Sequence, residues 1–124
     1  MKIAQHTPTN YSEERIQQNI IVWWNNNYPE YRGLLCYNNN NSEGSYRGYK
    51  NKFLGVVKGR SDLTLYFNGT AAMIELKTST GNQSKAQKDW QEKIEAQGFE
   101  YIIIRSLEEF QKMVKQKIAI FELL

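Results

Sequence analysis

The sequence predicts a mixed α/β fold in which helices flank a sheet of three antiparallel strands and a parallel fourth. Two apolar segments, 62–67 and 71–77, are separated by Asn68-Gly69-Thr70, and Asn-Gly is the strongest short signal for a β-hairpin. A helical segment then separates this hairpin from the apolar run 101–104, which favours a helical crossover to a parallel strand. The length suits one domain over residues 1–124.

Local signals define the first elements of the chain. A helix is predicted from Ser12, which is suited to be its N-cap, to Asn27. Residues 33–37 form a short strand candidate that can pair with the hairpin to complete an antiparallel meander. Residues 38–45 begin with four consecutive asparagines and are predicted to form a loop. Residues 1–10 are predicted to be flexible.

Two further helices are predicted after the hairpin. Ser84 followed by Gln87 is a capping-box pattern that opens a helix through residue 97, and Gly98 provides the stop. Ser106 with Glu109 is a second such pattern, and it opens a last helix whose apolar residues recur at helical spacing. The first of these two helices is expected to bury an apolar stripe: Ala86, Trp90 and Ile94.

Composition argues against several classes of protein. No stretch of eighteen apolar residues is present, so no membrane span is predicted, and the first ten residues do not resemble a secretory signal. A single cysteine, Cys36, cannot form an internal disulfide and fits a reducing, cytoplasmic compartment. Cys36 lies in an apolar run and is expected to be a packed core thiol. The only histidine, His6, is given no role.

The net charge of +3 is a mild excess, but its distribution is informative. Residues 46–60 contain five cations and no acid, with aromatic residues interleaved. Such a run suits a surface that contacts phosphates, although a solvated face is the alternative reading. The cations are Arg47, Lys50, Lys52, Lys58 and Arg60.

The hairpin brings two acids together. If Asn68 and Gly69 are the turn residues, the ladder places Asp62 opposite Glu75, and Lys77 lies on the same face because side chains repeat with period two. Facing residues have Cβ atoms roughly 4.5–5.5 Å apart, so these like charges repel. Protonation, the nearby lysine or a divalent metal could relieve the repulsion, and hard oxygen ligands suit Mg²⁺ or Mn²⁺. A solvated surface hairpin remains the alternative.

These residues resemble a known family. Asp62 followed later by Glu75-Leu76-Lys77 is similar to the bipartite signature of the PD-(D/E)XK nuclease superfamily. Several surrounding segments resemble its VRR-NUC branch, whose compact stand-alone form is common in phages and prophages and whose larger relatives include the Fanconi-associated repair nuclease. Ser61 stands where the superfamily often has proline. The segments are Ser12 to Gln17, Gly59 to Leu63, Ile74 to Lys77, and Ser84 to Gln87 with Trp90 and Gly98.

The resemblance implies a restriction-endonuclease-like αβββαβ core and a role for each matching residue. Asp62, Glu75 and the Leu76 carbonyl would bind Mg²⁺, with Mn²⁺ able to substitute. Glu13 on the first helix would complete the ligand set, with Glu14 the alternative. Lys77 would orient the attacking water. Three further cations are candidate DNA contacts: Lys58, Arg60 and Lys85. The Gln87 amide would face the site, or simply cap its helix.

The sequence therefore predicts a metal-dependent endonuclease that hydrolyses DNA. The resemblance implies branched substrates such as Holliday junctions, and an origin in a phage or prophage. A homodimer is predicted, because the segments Ile20–Trp24 and Ile118–Leu124 offer apolar surface, unless both merely complete the core. The alternatives are a non-catalytic DNA-binding accessory protein on the same scaffold and an RNA-binding module, for which no recognised motif is present.

Overall fold

The computed structural model describes residues 11–39 and 53–123, and it shows a four-stranded sheet flanked by helices. The predictions for residues 1–10 and for most of the 38–45 loop lie outside the described residues, as do Arg47, Lys50 and Lys52. The elements are helix α1, Glu13–Asn27; a 3₁₀ turn, Pro29–Tyr31; strands β1, Leu35–Tyr37, β2, Leu63–Phe67, and β3, Thr70–Leu76; helix α2, Lys85–Ala96; strand β4, Glu100–Ile104; and helix α3, Leu107–Leu123.

The sheet has the predicted topology. Its strand order is β1-β2-β3-β4, with antiparallel pairing up to β3 and parallel pairing between β3 and β4. The parallel strand is reached through α2, as expected of a helical crossover. β2 and β3 are therefore the central strands, and each is paired with a neighbour on both sides.

The hairpin register is also confirmed. Asn68 and Gly69 have φ values of 52° and 74°, the pair of positive φ angles that a type I′ turn requires. The ladder runs from Phe67 facing Thr70 to Leu63 facing Ile74. The ladder ends at that pair, and Asp62 lies one residue beyond it, where continuing the register would set it opposite Glu75.

One face of the sheet carries the hydrophobic core. We call it the leucine face, and it is buried against α1 and α3 through side chains such as Trp24 and Phe110. Ser12 caps α1 by accepting the Arg15 N–H at 3.1 Å. Within the apolar run of α1, Ile20 and Trp24 are fully enclosed in this core. The leucine face comprises Leu63, Leu65, Ile74 and Leu76.

The opposite face, which we call the site face, is less apolar and departs from two predictions. Ala86, Trp90 and Ile94 of α2 are only half-buried, because the face they cover carries polar side chains. Cys36 faces Thr64 on this side and is half-buried, so the prediction of a packed core thiol is wrong. The site face comprises Asp62, Thr64, Glu75 and Lys77.

The predicted capping box is confirmed at α2 and only partly confirmed at α3. Ser84 and Gln87 form a complete capping box at α2. At α3 the Ser106 hydroxyl accepts the Glu109 N–H at 3.2 Å, but the Glu109 carboxylate accepts from the N–H of Arg105 rather than that of Ser106. Among the described residues, no helix is both long enough and apolar enough to cross a membrane.

Candidate active site

The candidate active site lies where the central strand β2 begins and its neighbour β3 ends. Asp62 immediately precedes β2, Glu75 is the penultimate residue of β3, and Lys77 directly follows β3. Glu75 lies away from the leucine face and contacts polar groups instead. The structure therefore brings the three predicted residues together on one face of the sheet.

Glu75 has the most unusual environment. Its side chain is fully buried, and charged groups are almost never found there unless they are paired. One oxygen, Oε1, accepts hydrogen bonds from the Tyr101 hydroxyl and from Gln83 Nε2. The other oxygen, Oε2, is buried without a hydrogen-bond partner among the described residues. A buried unsatisfied carboxylate oxygen is costly, which indicates that another group is meant to contact it.

Asp62 is held from two sides. Its carboxylate oxygen Oδ2 accepts the backbone N–H of Leu76 at 2.7 Å, and its backbone carbonyl accepts the N–H of Asn38 at 2.7 Å. Burial raises the pKa of Asp62 above its ordinary value, and the Leu76 hydrogen bond opposes that shift. The charges of Glu13 and Glu75 also raise this pKa, whereas that of Lys77 lowers it. Three neighbouring charges therefore act on the Asp62 carboxylate.

Lys77 contributes a cation at low solvent exposure. The residue is 8% exposed, and its charge is the weakest of the influences that act on the pKa of Asp62. Its backbone N–H donates to the carbonyl of Ile104 at 3.1 Å, which fixes the point where the chain leaves the sheet. Lys77 is therefore held at the end of the strand that carries Glu75.

The donor set fits a divalent cation, although not with every predicted ligand in contact. The unpartnered Glu75 Oε2 and the Asp62 carboxylate supply hard oxygen donors of the kind that Mg²⁺ binds. Within residues 11–39 and 53–123, no three acidic, histidine or cysteine side chains lie together closely enough to hold a metal. Glu13 is near enough to influence the pKa of Asp62 electrostatically, and its place in the ligand set stays a prediction.

The remaining predicted residues lie in different settings. Gln87 Oε1 accepts the Ser84 N–H at 2.8 Å, so that oxygen caps the helix, and a catalytic role for Gln87 stays a prediction. Lys85 is exposed and pairs with Asp89 at 3.0 Å. Lys58 and Arg60 are exposed on the segment that leads to Asp62, and their contact with DNA stays a prediction.

Two residues of the site were missed by sequence reasoning. Tyr101 belongs to an apolar run that predicts only a strand, and Gln83 precedes a capping box without any signal of its own. Tyr101 is the Cα partner of Met73 in the parallel ladder, so it shares the site face with Glu75. A polar hydroxyl within a strand expected to be buried was the available clue, because a buried tyrosine O–H needs a partner.

A first prediction follows from the pKa of Asp62. Because burial raises this pKa above 3.8, the stability that the group contributes is fully present below 3.8 and is lost as pH rises through the raised pKa. In EDTA, Asp62→Asn should therefore be more stable than the wild type near neutral pH, by about 0.2–1 kcal/mol, and less sensitive to pH. Urea unfolding at mildly acidic and neutral pH measures this. Equal pH dependence in both proteins would contradict it.

Comparison with known proteins agrees with this geometry. The family model of the VRR-NUC domain matches residues 11–108. A solved structure described as a VRR_NUC domain protein superposes with a TM-score of 0.73 at 17% identity, covering 90% of this chain and 91% of that chain. No curated protein sequence matches the chain. At that identity the structural likeness shows the fold, while the family model covers most of the sequence. The chain therefore belongs to the VRR-NUC family and is a nuclease-type domain.

Proposed function

We propose that this protein is a metal-dependent deoxyribonuclease whose centre consists of Asp62, Glu75 and Lys77. The observation that carries the proposal is the fully buried Glu75, one of whose oxygens has no partner among the described residues. A carboxylate at zero exposure in a sheet is a costly arrangement. An unpaired buried polar atom needs a partner, and the family to which the chain belongs is one of nuclease-type domains.

Each residue would have a distinct task. Asp62 and Glu75 would hold Mg²⁺ or Mn²⁺, with the Leu76 carbonyl as a further ligand and Glu13 acting through water. When bound, the metal lowers the pKa of a coordinated water and neutralises charge on the scissile phosphate. Asp62 has one oxygen committed to the Leu76 N–H, so that bond orients its carboxylate. Lys77 would orient the attacking water and stabilise charge on the phosphate.

The exposed cations offer a route to DNA. Lys58, Arg60 and Lys85 all have exposed side chains close in sequence to the site or at the first turn of α2. Phosphate contacts position a nucleic acid without reading its sequence. A non-catalytic DNA-binding protein on the same scaffold would use these cations too. It would not need a buried acid with an unpartnered oxygen, which is why we favour the enzyme.

The proposal is tested by incubating the protein with linear duplex, flap and four-way-junction DNA, each in Mg²⁺, Mn²⁺ or EDTA. We expect cleavage with either metal and none in EDTA, with branched DNA preferred over linear duplex. Cleavage that is equal in EDTA would contradict metal dependence. Binding of DNA without cleavage in any metal would favour the accessory-protein alternative. Preference for linear duplex would leave the nuclease in place and remove the branched substrate.

Cleavage of a four-way junction requires two nicks in opposed strands, so we propose that the protein acts as a C2 dimer, each subunit supplying one centre. The described apolar surface favours the end of α3 over α1 as the interface. Ile20 and Trp24 are buried in the core, whereas Ile120, Phe121 and Leu123 are 59%, 43% and 87% exposed. Contiguous exposed apolar residues commonly mark partner surfaces.

The assembly prediction is a dimer in sedimentation equilibrium at micromolar concentration. Replacing Ile120 and Leu123 by lysine should shift the protein to the monomer, because charges are disfavoured in an interface core. The matched control is Val22→Lys on α1, a residue that is 54% exposed and should leave the dimer intact. A strict monomer that still makes paired nicks would contradict the need for two subunits.

A further inference from the structure

Two polar side chains from different elements converge on the same oxygen of Glu75. The Tyr101 hydroxyl, on β4, donates to Glu75 Oε1, and Gln83 Nε2, in the segment before α2, donates to that oxygen at 3.1 Å. Glu75 Oε2 receives neither bond and is buried. One oxygen of the carboxylate therefore accepts two hydrogen bonds, and the other accepts none from the described residues.

The Gln83 amide is itself oriented. Its Nε2 atom also donates to Gln91 Oε1 on α2, at 2.8 Å, so two acceptors lie on the same side of the amide. With the Gln83 amide reversed, its oxygen would face the Glu75 carboxylate, which can only accept, and that contact would become repulsive. The Glu75 carboxylate therefore requires the donor end of Gln83, and Gln91 accepts a second hydrogen bond from the same nitrogen.

Tyr101 is fixed by the rigid part of the fold. Its backbone lies in the parallel ladder beside Met73, and its ring packs edge-on against Trp90 of α2 with centroids 5.8 Å apart. Because the ladder and this ring contact fix the Tyr101 side chain, its hydroxyl is a fixed hydrogen-bond donor that positions the Glu75 carboxylate. Rotating that carboxylate would break both hydrogen bonds to Oε1, in a place where water cannot readily replace them.

We propose that Tyr101 and Gln83 are positioning residues that lock the Glu75 carboxylate so that Oε2 alone is presented to the metal. The inference rests on the proposed function of Glu75 as a metal ligand, and it assigns the ligand atom. Residues that hydrogen-bond a ligating carboxylate set its orientation, and their loss commonly weakens metal affinity 10–100-fold.

The test measures the affinity of the full chain for Mn²⁺ in the absence of DNA, with electron paramagnetic resonance as the method of detection. Tyr101→Phe, which removes only the hydroxyl, should weaken Mn²⁺ binding about 10-fold or more. Gln83→Met, of similar length but without a donor, should weaken it to a similar extent. The control is Tyr66→Phe, since Tyr66 is exposed on β2 and the loss of its hydroxyl should leave Mn²⁺ affinity unchanged.

A second readout separates positioning from a purely structural role. The Mg²⁺ concentration that gives half-maximal cleavage should rise about 10-fold or more in Tyr101→Phe, while the rate at saturating Mg²⁺ falls much less. A variant that melts at a lower temperature but binds Mn²⁺ like the wild type would overturn the inference. Mn²⁺ binding that is unaffected by Glu75→Gln would overturn the proposed function together with it.

Discussion

Alanine at Asp62, Glu75 or Lys77 should each abolish metal-dependent cleavage and leave the fold intact. Removing a single group that stabilises developing charge in other hydrolytic sites costs about 10²–10³-fold in rate, and loss of a metal ligand should cost at least as much. Asp62 is partly exposed and Glu75 contacts polar groups on the site face, so neither variant removes a side chain of the apolar core. Single-turnover cleavage of the preferred DNA in Mg²⁺ measures the effect, and circular dichroism checks the fold.

The two acids of the first turn of α1 give a graded comparison, in which Glu14→Ala is the matched control. Glu14→Ala should be nearly neutral, because Glu14 lies on a shallow exposed surface with Tyr11 and Arg15. Glu13→Ala should reduce activity by less than alanine at Asp62 or Glu75. The charge of Glu13 acts on the pKa of Asp62, but among the described residues Glu13 does not form a three-acid cluster that could hold a metal. Full activity of Asp62→Ala would falsify the mechanism. A neutral Glu13→Ala would remove the helix acid from the proposed ligand set.

Much of the sheet could be predicted because one turn determines its register. The Asn68-Gly69 pair permits a two-residue type I′ turn, and once that turn is accepted every facing pair along β2 and β3 follows. The alternation of leucines with polar residues then specifies which face is buried, because a slip of one residue would reverse every side chain. The local sequence is therefore sufficient to place Asp62 and Glu75 opposite each other.

Contacts between distant segments could not be predicted in the same way. The register of β4 against β3 depends on how α2 packs, and no local turn encodes it, so Tyr101 could not be placed beside Glu75.

The capping interactions showed a related limit. Gln87 satisfies its own helix terminus, and Glu109 accepts from Arg105. The sequence shows that a side chain can form such a bond, but it does not show which of several nearby donors the side chain will meet.

Gly59→Ala should both destabilise the fold and impair the site, even though the substitution adds only one methyl group. Gly59 has φ +85°, and an added Cβ would lie 2.4 Å from the backbone carbonyl of Ala86 and 2.7 Å from the Gln87 nitrogen. These are backbone atoms in the first turn of α2, so they cannot move aside as a flexible side chain would. The segment that leads into Asp62 must therefore shift away from the helix.

The matched control is Gly55→Ala in the same segment. Gly55 has φ +89°, but nothing lies within 4 Å of its added Cβ, so both variants share the cost of a left-handed backbone, about 1–2 kcal/mol. Gly59→Ala should lose a further ~1–3 kcal/mol from overpacking, measured by urea unfolding. Because a misplacement of about 1 Å near reacting groups can cost 10²-fold, its cleavage rate should fall far more than that of Gly55→Ala. Equal stability and equal rates in the two variants would show that Gly59 does not set the position of Asp62 against α2.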